Sequence, residues 1–275
     1  MCKKRGLGLV ILCWICCSFF VSGLMAQQEA GQALPTKVLP LEGEVFAAGG
    51  HPAFLIPGKV GLPRSGKAWV WYAPTLPNLP GPEERWMFER FTAAGIAVAG
   101  IDAGESYGSP RGNAVYSALY ESMQARGFSA RPLLLGRSRG GLMTLSWAVE
   151  HPQCVSGFAG IYPVCNLSSY PGLERAAGAF ELTPDRLRER LREFNPVDRF
   201  EPLVKAKVPL FAIHGDVDKV VPLEANSGLL KKRCEEQGGK MEIVIPPGQG
   251  HSMWPGFFQS EELVAFVLRH ADPAP

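Results

Sequence analysis

Apolar positions along the chain gather into short runs separated by longer stretches of mixed character. Runs at 45–48, 53–56, 68–73, 96–101, 132–135, 155–161, 209–213 and 241–245 read as strands, bounded by Gly, Pro or Asp. Stretches at 83–94, 113–126, 140–151, 223–237 and 261–270 recur between them and read as helices. The first two strands lie close enough for a hairpin. From there helix and strand alternate, as in a mainly parallel sheet covered by helices on both faces.

The alternation breaks at 166–206. Thr183-Pro184-Asp185 forms an N-cap with proline at the first helical position, so a charged helix is expected over 186–193, stopped by Asn195-Pro196. An insertion here is expected to form a small cap that walls and dries a site beneath it.

The first residues differ from all that follows. Lys3, Lys4 and Arg5 precede an uncharged apolar run at 7–24, then Met25-Ala26. Residues 1–26 are expected to be a secretory signal, which makes the protein secreted or periplasmic. Leu24 is a poor residue at the −3 position for cleavage after Ala26, and an uncleaved segment would anchor the protein to a membrane. Residues 27–42 read as a linker and 43–275 as one catalytic domain.

Four of the seven cysteines fall in the leading segment. Cys154, Cys165 and Cys234 remain, an odd number without metal-ligand spacing, so they read as buried unpaired thiols, with a Cys154–Cys234 bridge as the alternative. No metal or organic cofactor is expected. With 28 basic and 26 acidic residues scattered through the chain, for a net charge of +2, the balance argues against nucleic acid as a partner.

The candidate chemistry sits where strands end. Leu133-Leu134-Leu135-Gly136-Arg137-Ser138-Arg139-Gly140 ends an apolar run in GxSxG and leads into a helix. A serine on so tight a strand-to-helix turn needs a strained backbone, and glycines two residues away on each side remove clashing Cβ atoms. Further on, His214-Gly215-Asp216-Val217-Asp218 follows the seventh strand and Gly248-Gln249-Gly250-His251 follows the eighth. Serine, carboxylate and imidazole thus stand past strand ends, where open parallel sheets bind ligands. From the residues alone either Asp216 or Asp218 can reach an imidazole.

With these three motifs the chain resembles the alpha/beta hydrolase superfamily, in particular its esterase and prolyl oligopeptidase-like branch, which is similar also to dienelactone hydrolases. The resemblance rests on GxSxG, HGxxDxxVP and GxGH and runs from about Gly43 to Arg269. It implies an alpha/beta hydrolase fold of about eight strands. It also implies Ser138 as nucleophile, His251 as general base and Asp218, rather than Asp216, as the acid. The oxyanion donors it implies are the Arg139 N–H and one from the loop after the third strand, where Pro74 and Pro77 lack an N–H and Thr75 is chosen over Leu76.

Arg137, Glu105, Tyr107 and Trp254 are the candidate substrate contacts. Arg137 and Arg139 flank the serine, and a guanidinium facing the pocket would bind a carboxylate or strengthen the oxyanion site; pairing with nearby carboxylates is the plainer alternative. The GxSRxG segment locally resembles glucuronoyl esterases, over those few residues only. His214 reads as structural, and Asp102 either as a further substrate contact or as a loop cap. Tyr162 or Tyr170 would add to an aromatic wall with Trp254, or pack in the core.

The expectation is a secreted serine hydrolase of carboxylic esters, carbohydrate-linked esters included, acting on a small-molecule or carbohydrate substrate. The alternatives are a prolyl oligopeptidase-like peptidase, against which the lack of an N-terminal propeller is weighed, and a catalytically silent binding protein of the same fold.

Overall fold

The computed structural model describes residues 37–59 and 67–271. The expected signal segment lies outside the described residues. Of the linker only 37–42 is described, and Lys37 Nζ there donates to the Leu76 carbonyl at 2.8 Å.

Eight strands form a single sheet in the order β1-β2-β4-β3-β5-β6-β7-β8. They are β1 (Glu44–Ala48), β2 (His51–Ile56), β3 (Trp69–Ala73), β4 (Ala97–Ile101), β5 (Leu133–Arg137), β6 (Gly157–Ile161), β7 (Leu210–Ile213) and β8 (Met241–Val244). The β1–β2 hairpin is antiparallel and β2 also pairs antiparallel with β4. All later pairings are parallel.

Strand pleating explains why β3 to β7 read as nearly unbroken apolar runs. Successive side chains point to opposite faces, and both faces are covered. Trp69, Trp71, Leu134, Phe158, Leu210 and Ala212 enter one apolar cluster, packed against α2 (Pro110–Ala125) and α3 (Gly140–Glu150). Val70, Tyr72, Leu133, Leu135, Phe211 and Ile213 enter the other, with α1 (Arg85–Ala93). A sheet buried on both sides is the expected product of parallel crossovers.

The 166–206 insertion departs from the expectation of one helix. It holds five short ones, α4 (Leu173–Ala176), α5 (Pro184–Glu189), α6 (Leu191–Phe194), α7 (Pro196–Arg199) and α8 (Glu201–Lys205). Thr183 does cap α5, its hydroxyl accepting from the Arg186 N–H at 3.3 Å. The helix then breaks at Arg190, whose backbone has left helical geometry (φ −108°, ψ 17°). Leu187 is buried in a third apolar cluster with Leu167, Leu173, Phe180, Val164 and Tyr107. That packing, which no local pattern announces, sets where each turn ends.

After β7 come α9 (Ser227–Glu236), α10 (Pro255–Phe258) and α11 (Glu261–His270). Cys154, Cys165 and Cys234 are free thiols, two of them buried and Cys154 half-buried. Among the described residues no helix is long and apolar enough to cross a membrane, and no cluster of ligating side chains fit to hold a metal ion is present.

Candidate active site

Ser138 follows β5 directly and has φ +49°, a region L-residues rarely occupy. The strain is held by tight packing on both sides. A Cβ on Gly140 would fall 2.1 Å from the Ala73 carbonyl oxygen, and one on Gly136 would fall 2.9 Å from Gly141 Cα. Only glycine fits at either place, which is why the serine is flanked as it is. Backbone bonds lock the turn: Ser138 N donates to the Ile161 carbonyl at 2.9 Å, and Val164 N to the Ser138 carbonyl at 2.8 Å.

The Oγ of Ser138 lies 3.0 Å from His251 Nε2. On the far side of the ring, His251 Nδ1 lies 2.8 Å from Asp218 Oδ2. A carboxylate can only accept, so Nδ1 carries the proton and Nε2 is left with its lone pair toward the serine hydroxyl. Tyr162 packs against the imidazole at 4.3 Å between ring centroids. Residues far apart in the chain are thus brought into one continuous hydrogen-bonded line.

The structure separates the two acids that spacing alone leaves open. Asp216 Oδ1 accepts from the Gly248 N–H at 2.7 Å and shapes the loop before His251. Asp218 faces the imidazole, while its Oδ1 accepts from the Val220 and Val221 N–H groups at 2.9 and 2.8 Å. Burial alone would raise its pKa. Donors from His214, His251 and the Val221 N–H outweigh that and hold the carboxyl well below the usual range.

His214 is fully buried. Its Nε2 lies 2.8 Å from the Val221 carbonyl oxygen and 3.5 Å from Asp218 Oδ2, and its Nδ1 lies 2.8 Å from Ser227 Oγ. Since Val221 O is only an acceptor, Nε2 carries the proton and Nδ1 accepts from Ser227. The residue read as structural therefore braces the loop that carries Asp218.

A cavity of about 150 Å³ opens beside the serine, lined by Pro74, Leu79, Arg137, Ser138, Arg139, Tyr162, His251, Ser252 and Met253. Arg139 begins α3, where backbone N–H groups lack intrahelical acceptors, so its N–H is suited to a developing oxyanion. Thr75 does not line the cavity. Its side chain is buried, with the hydroxyl donating to the Tyr72 carbonyl at 3.3 Å and filling the space left by Gly100, and it is the backbone N–H, next to the cavity-lining Pro74, that is expected to donate.

Three of the expected substrate contacts lie elsewhere. Glu105 pairs with the Arg139 guanidinium and borders a different depression, with Asp102 and Arg111. Asp102 accepts from the Gly104 N–H at 3.0 Å, the loop cap that is one of its two readings. Tyr107 is buried in the cluster beneath the cap helices, and burial raises its pKa. Trp254 is 38% exposed and packs edge-on against Phe257. Each stands near the rim in sequence, but its side chain is taken up by packing or pairing away from the cavity.

Arg137 does line it, held by an acid that local sequence does not reveal. Glu84 is completely buried and accepts from Arg137 Nη1 at 2.6 Å, the Tyr72 hydroxyl at 2.7 Å and the Gly81 N–H at 2.8 Å. Burial, then the neighbouring Glu84, pushes the Tyr72 pKa up and keeps its hydroxyl a donor. Burial works against the Arg137 charge, but Tyr72 and Glu84 more than compensate and leave its pKa raised. In sequence, Glu83-Glu84-Arg85 looks like any solvated helix start, so nothing singled Glu84 out.

The sheet order, the strained serine and the loops at strand ends define an alpha/beta hydrolase. The prolyl oligopeptidase family pattern matches residues 114–272, more than half of the chain, and the chain belongs to that family. No curated protein matches the sequence. Among solved structures, the chain is similar to a puromycin-hydrolyzing peptidase of Mycobacterium tuberculosis, with 16% identity and a TM-score of 0.64 over 85% of this chain and 40% of that one. The acylaminoacyl peptidase of Pyrococcus horikoshii shares 16% identity at a TM-score of 0.67, over 85% of this chain and 42% of that one. Est1E from Butyrivibrio proteoclasticus shares 18% identity at a TM-score of 0.59, over 83% of this chain and 98% of that one. The chain therefore spans about two fifths of the length of the peptidases it matches, and at these identities the likeness is one of fold.

Proposed function

We propose that the protein is a secreted serine hydrolase that cleaves carboxylic esters through an acyl-enzyme, carbohydrate-linked esters among them. The observation that carries this reading is the line from Ser138 Oγ through His251 to Asp218, at 3.0 and 2.8 Å. A serine hydroxyl is a weak nucleophile at neutral pH. His251 Nε2 takes its proton as Oγ attacks the carbonyl carbon, then returns it to the departing alkoxide, leaving Ser138 acylated. Asp218 fixes the tautomer and balances the imidazolium, and the Arg139 N–H meets the oxyanion. Water, deprotonated by the same imidazole, attacks the acyl-enzyme and releases the acid.

Two features support an ester over a peptide. The cavity lining contains two arginines and no carboxylate that would hold a free amino terminus. Est1E, an esterase, is matched over nearly its whole length. Family membership is what favours the second reading, a prolyl oligopeptidase-like peptidase. Secretion rests on the basic and apolar pattern at 1–26; the same pattern, uncleaved, would be a membrane anchor.

A panel of acetyl, feruloyl and uronate methyl esters, run beside an aminoacyl amide, tests the reading by kcat/KM. Hydrolysis of at least one ester class well above the amide is the expected result. An amide turned over faster than every ester would overturn the ester reading in favour of the peptidase, and no turnover of either would favour a silent binding protein.

A further inference from the structure

On the acyl-transfer reading above, the cavity beside Ser138 receives one side of the substrate. Two opposite demands meet in its wall. Arg137, like Arg139, is next to the nucleophile in sequence, and a lone guanidinium at residue 137 would recruit a carboxylate. Here it is not alone: Nη1 is bonded at 2.6 Å to the fully buried Glu84, so the pair is neutral as a unit. Its Nη2 points at Met253 Sδ, 3.0 Å away. A thioether is a weak acceptor on a flexible side chain. A charged donor facing the nucleophile's cavity, with only 12% of its side chain exposed, is thus held by a partner that any oxygen would outcompete.

The cavity also sets a size. About 150 Å³ is room for a group about the size of benzene, open on one side to solvent. Pro74, Leu79, Tyr162 and Met253 make most of its wall apolar. A substrate carboxylate placed there would meet two guanidiniums whose charge is already taken up, Arg137 by the buried Glu84 and Arg139 by Glu105, so its desolvation would be poorly compensated.

We infer that this cavity selects a small uncharged group bearing an oxygen acceptor, an ether, carbonyl or hydroxyl, which displaces Met253 from Arg137 Nη2. Arg137 is then a specificity-determining residue, and carboxylate-bearing substrates are rejected.

The test compares matched esters in which one methylene is replaced by oxygen. In the acyl series p-nitrophenyl butyrate is set against the methoxyacetate and the hemisuccinate. In the alcohol series butyl acetate is set against 2-methoxyethyl acetate and the acetate ester of 3-hydroxypropanoate. Each kcat/KM is divided by the rate of hydroxide-catalysed hydrolysis to remove intrinsic reactivity. The oxygen-bearing member is expected to be favoured about 10- to 100-fold in one series, which identifies the side of the scissile bond the cavity serves. In that series the carboxylate member is the slowest. Removing Arg137 alone would strand the buried Glu84 charge, so the variant is the double Glu84→Gln, Arg137→Met, counted by fluorophosphonate titration of Ser138. Its oxygen-to-methylene ratio is expected to fall within about threefold of one, whatever the absolute rate. Arg137→Lys keeps a charge opposite Glu84, moves the donor, and is expected to lower the same ratio should the double variant not fold.

A ratio near one in both wild-type series, a carboxylate member that is fastest, or a ratio that survives removal of Arg137 would each overturn the inference while leaving the ester reading intact. If amides are cleaved and esters are not, the ester reading fails, and the same comparison run on matched amides still decides the role of Arg137.

Discussion

The rim that carries Ser138 and the cap over 166–206 are built on different principles. At the rim, neighbouring segments approach so closely that side chains are excluded, as where Gly140 meets Ala73, and loops are tied by backbone bonds such as Val217 N to the Gln249 carbonyl at 3.1 Å. The cap is a string of one- and two-turn helices too short to be stable alone. It is held by apolar packing, Leu173, Phe180 and Leu187 against Tyr107, Leu142 and Val221, and Val197, Phe200 and Leu203 in the main core, with a few side-chain hydrogen bonds at its edges. Asn226 Oδ1 accepts from the Cys165 and Asn166 N–H groups at 3.0 and 3.2 Å, and Asn195 Oδ1 from the Leu167 N–H at 2.9 Å. Its outer face carries exposed ion pairs such as Arg186–Glu189 and Arg188–Asp185, which contribute little. Geometry that must stay fixed is placed on the sheet, whereas the 166–206 segment, expected to wall the site, contributes no residue to the lining of the Ser138 cavity.

The comparison breaks most visibly at the rim. Ser138→Ala or His251→Ala is expected to lower kcat by about 10⁴ to 10⁶, and Asp218→Asn by about 10³ to 10⁴, with ester turnover as the measurement. Asp216→Asn, which touches only the Gly248 turn, should stay within about tenfold of wild type. Were the two aspartates equivalent in effect, the geometry at His251 would be misread.

Stability separates the regions next. Glu84→Ala strands Arg137 in a buried setting and is expected to cost about 3 to 5 kcal/mol in denaturant unfolding. Asn226→Ala leaves cap N–H groups without acceptors and is expected to cost about 1 to 3 kcal/mol, with faster amide exchange confined to the cap and a change in KM exceeding that in kcat. Uniform protection across the domain would show instead that cap and sheet open together.

A pH effect sharpens the rim further. The Asp218 carboxyl is depressed below its ordinary value of 3.8 in the folded protein. Its ionised form therefore adds stability that is complete above that value and is lost as pH falls toward the depressed one. The stability gap between wild type and Asp218→Asn should be widest at neutral pH and close below pH 3.8, as unfolding midpoints would record. Smallest of all, Asp185→Asn on the outer cap face should leave Tm unchanged within error.

The same division governs what the sequence discloses. All eight strands and the five long helical stretches are visible as patterns, most plainly β3 to β7, because parallel strands buried on both faces must be continuously apolar. The residues of the Ser138–His251–Asp218 line are visible because each sits in a motif with a local steric cause. Glu84 is hidden, since its partners Arg137 and Tyr72 come from distant strands. Glu105, Tyr107 and Trp254 are absent from the cavity lining for the same reason: their positions near the rim are readable, but the packing that claims their side chains is not. In the cap, Thr183 announces the start of a helix, whereas its end at Arg190 depends on how Leu187 packs below.

The central claim is that Ser138 is made nucleophilic by His251. Mass-spectrometric mapping of a fluorophosphonate adduct tests it most directly. Wild-type protein should take up one equivalent on Ser138, and His251→Ala should react slower by orders of magnitude while remaining folded. Absence of an adduct in the folded wild type, or equal reaction in the His251 variant, would contradict the account.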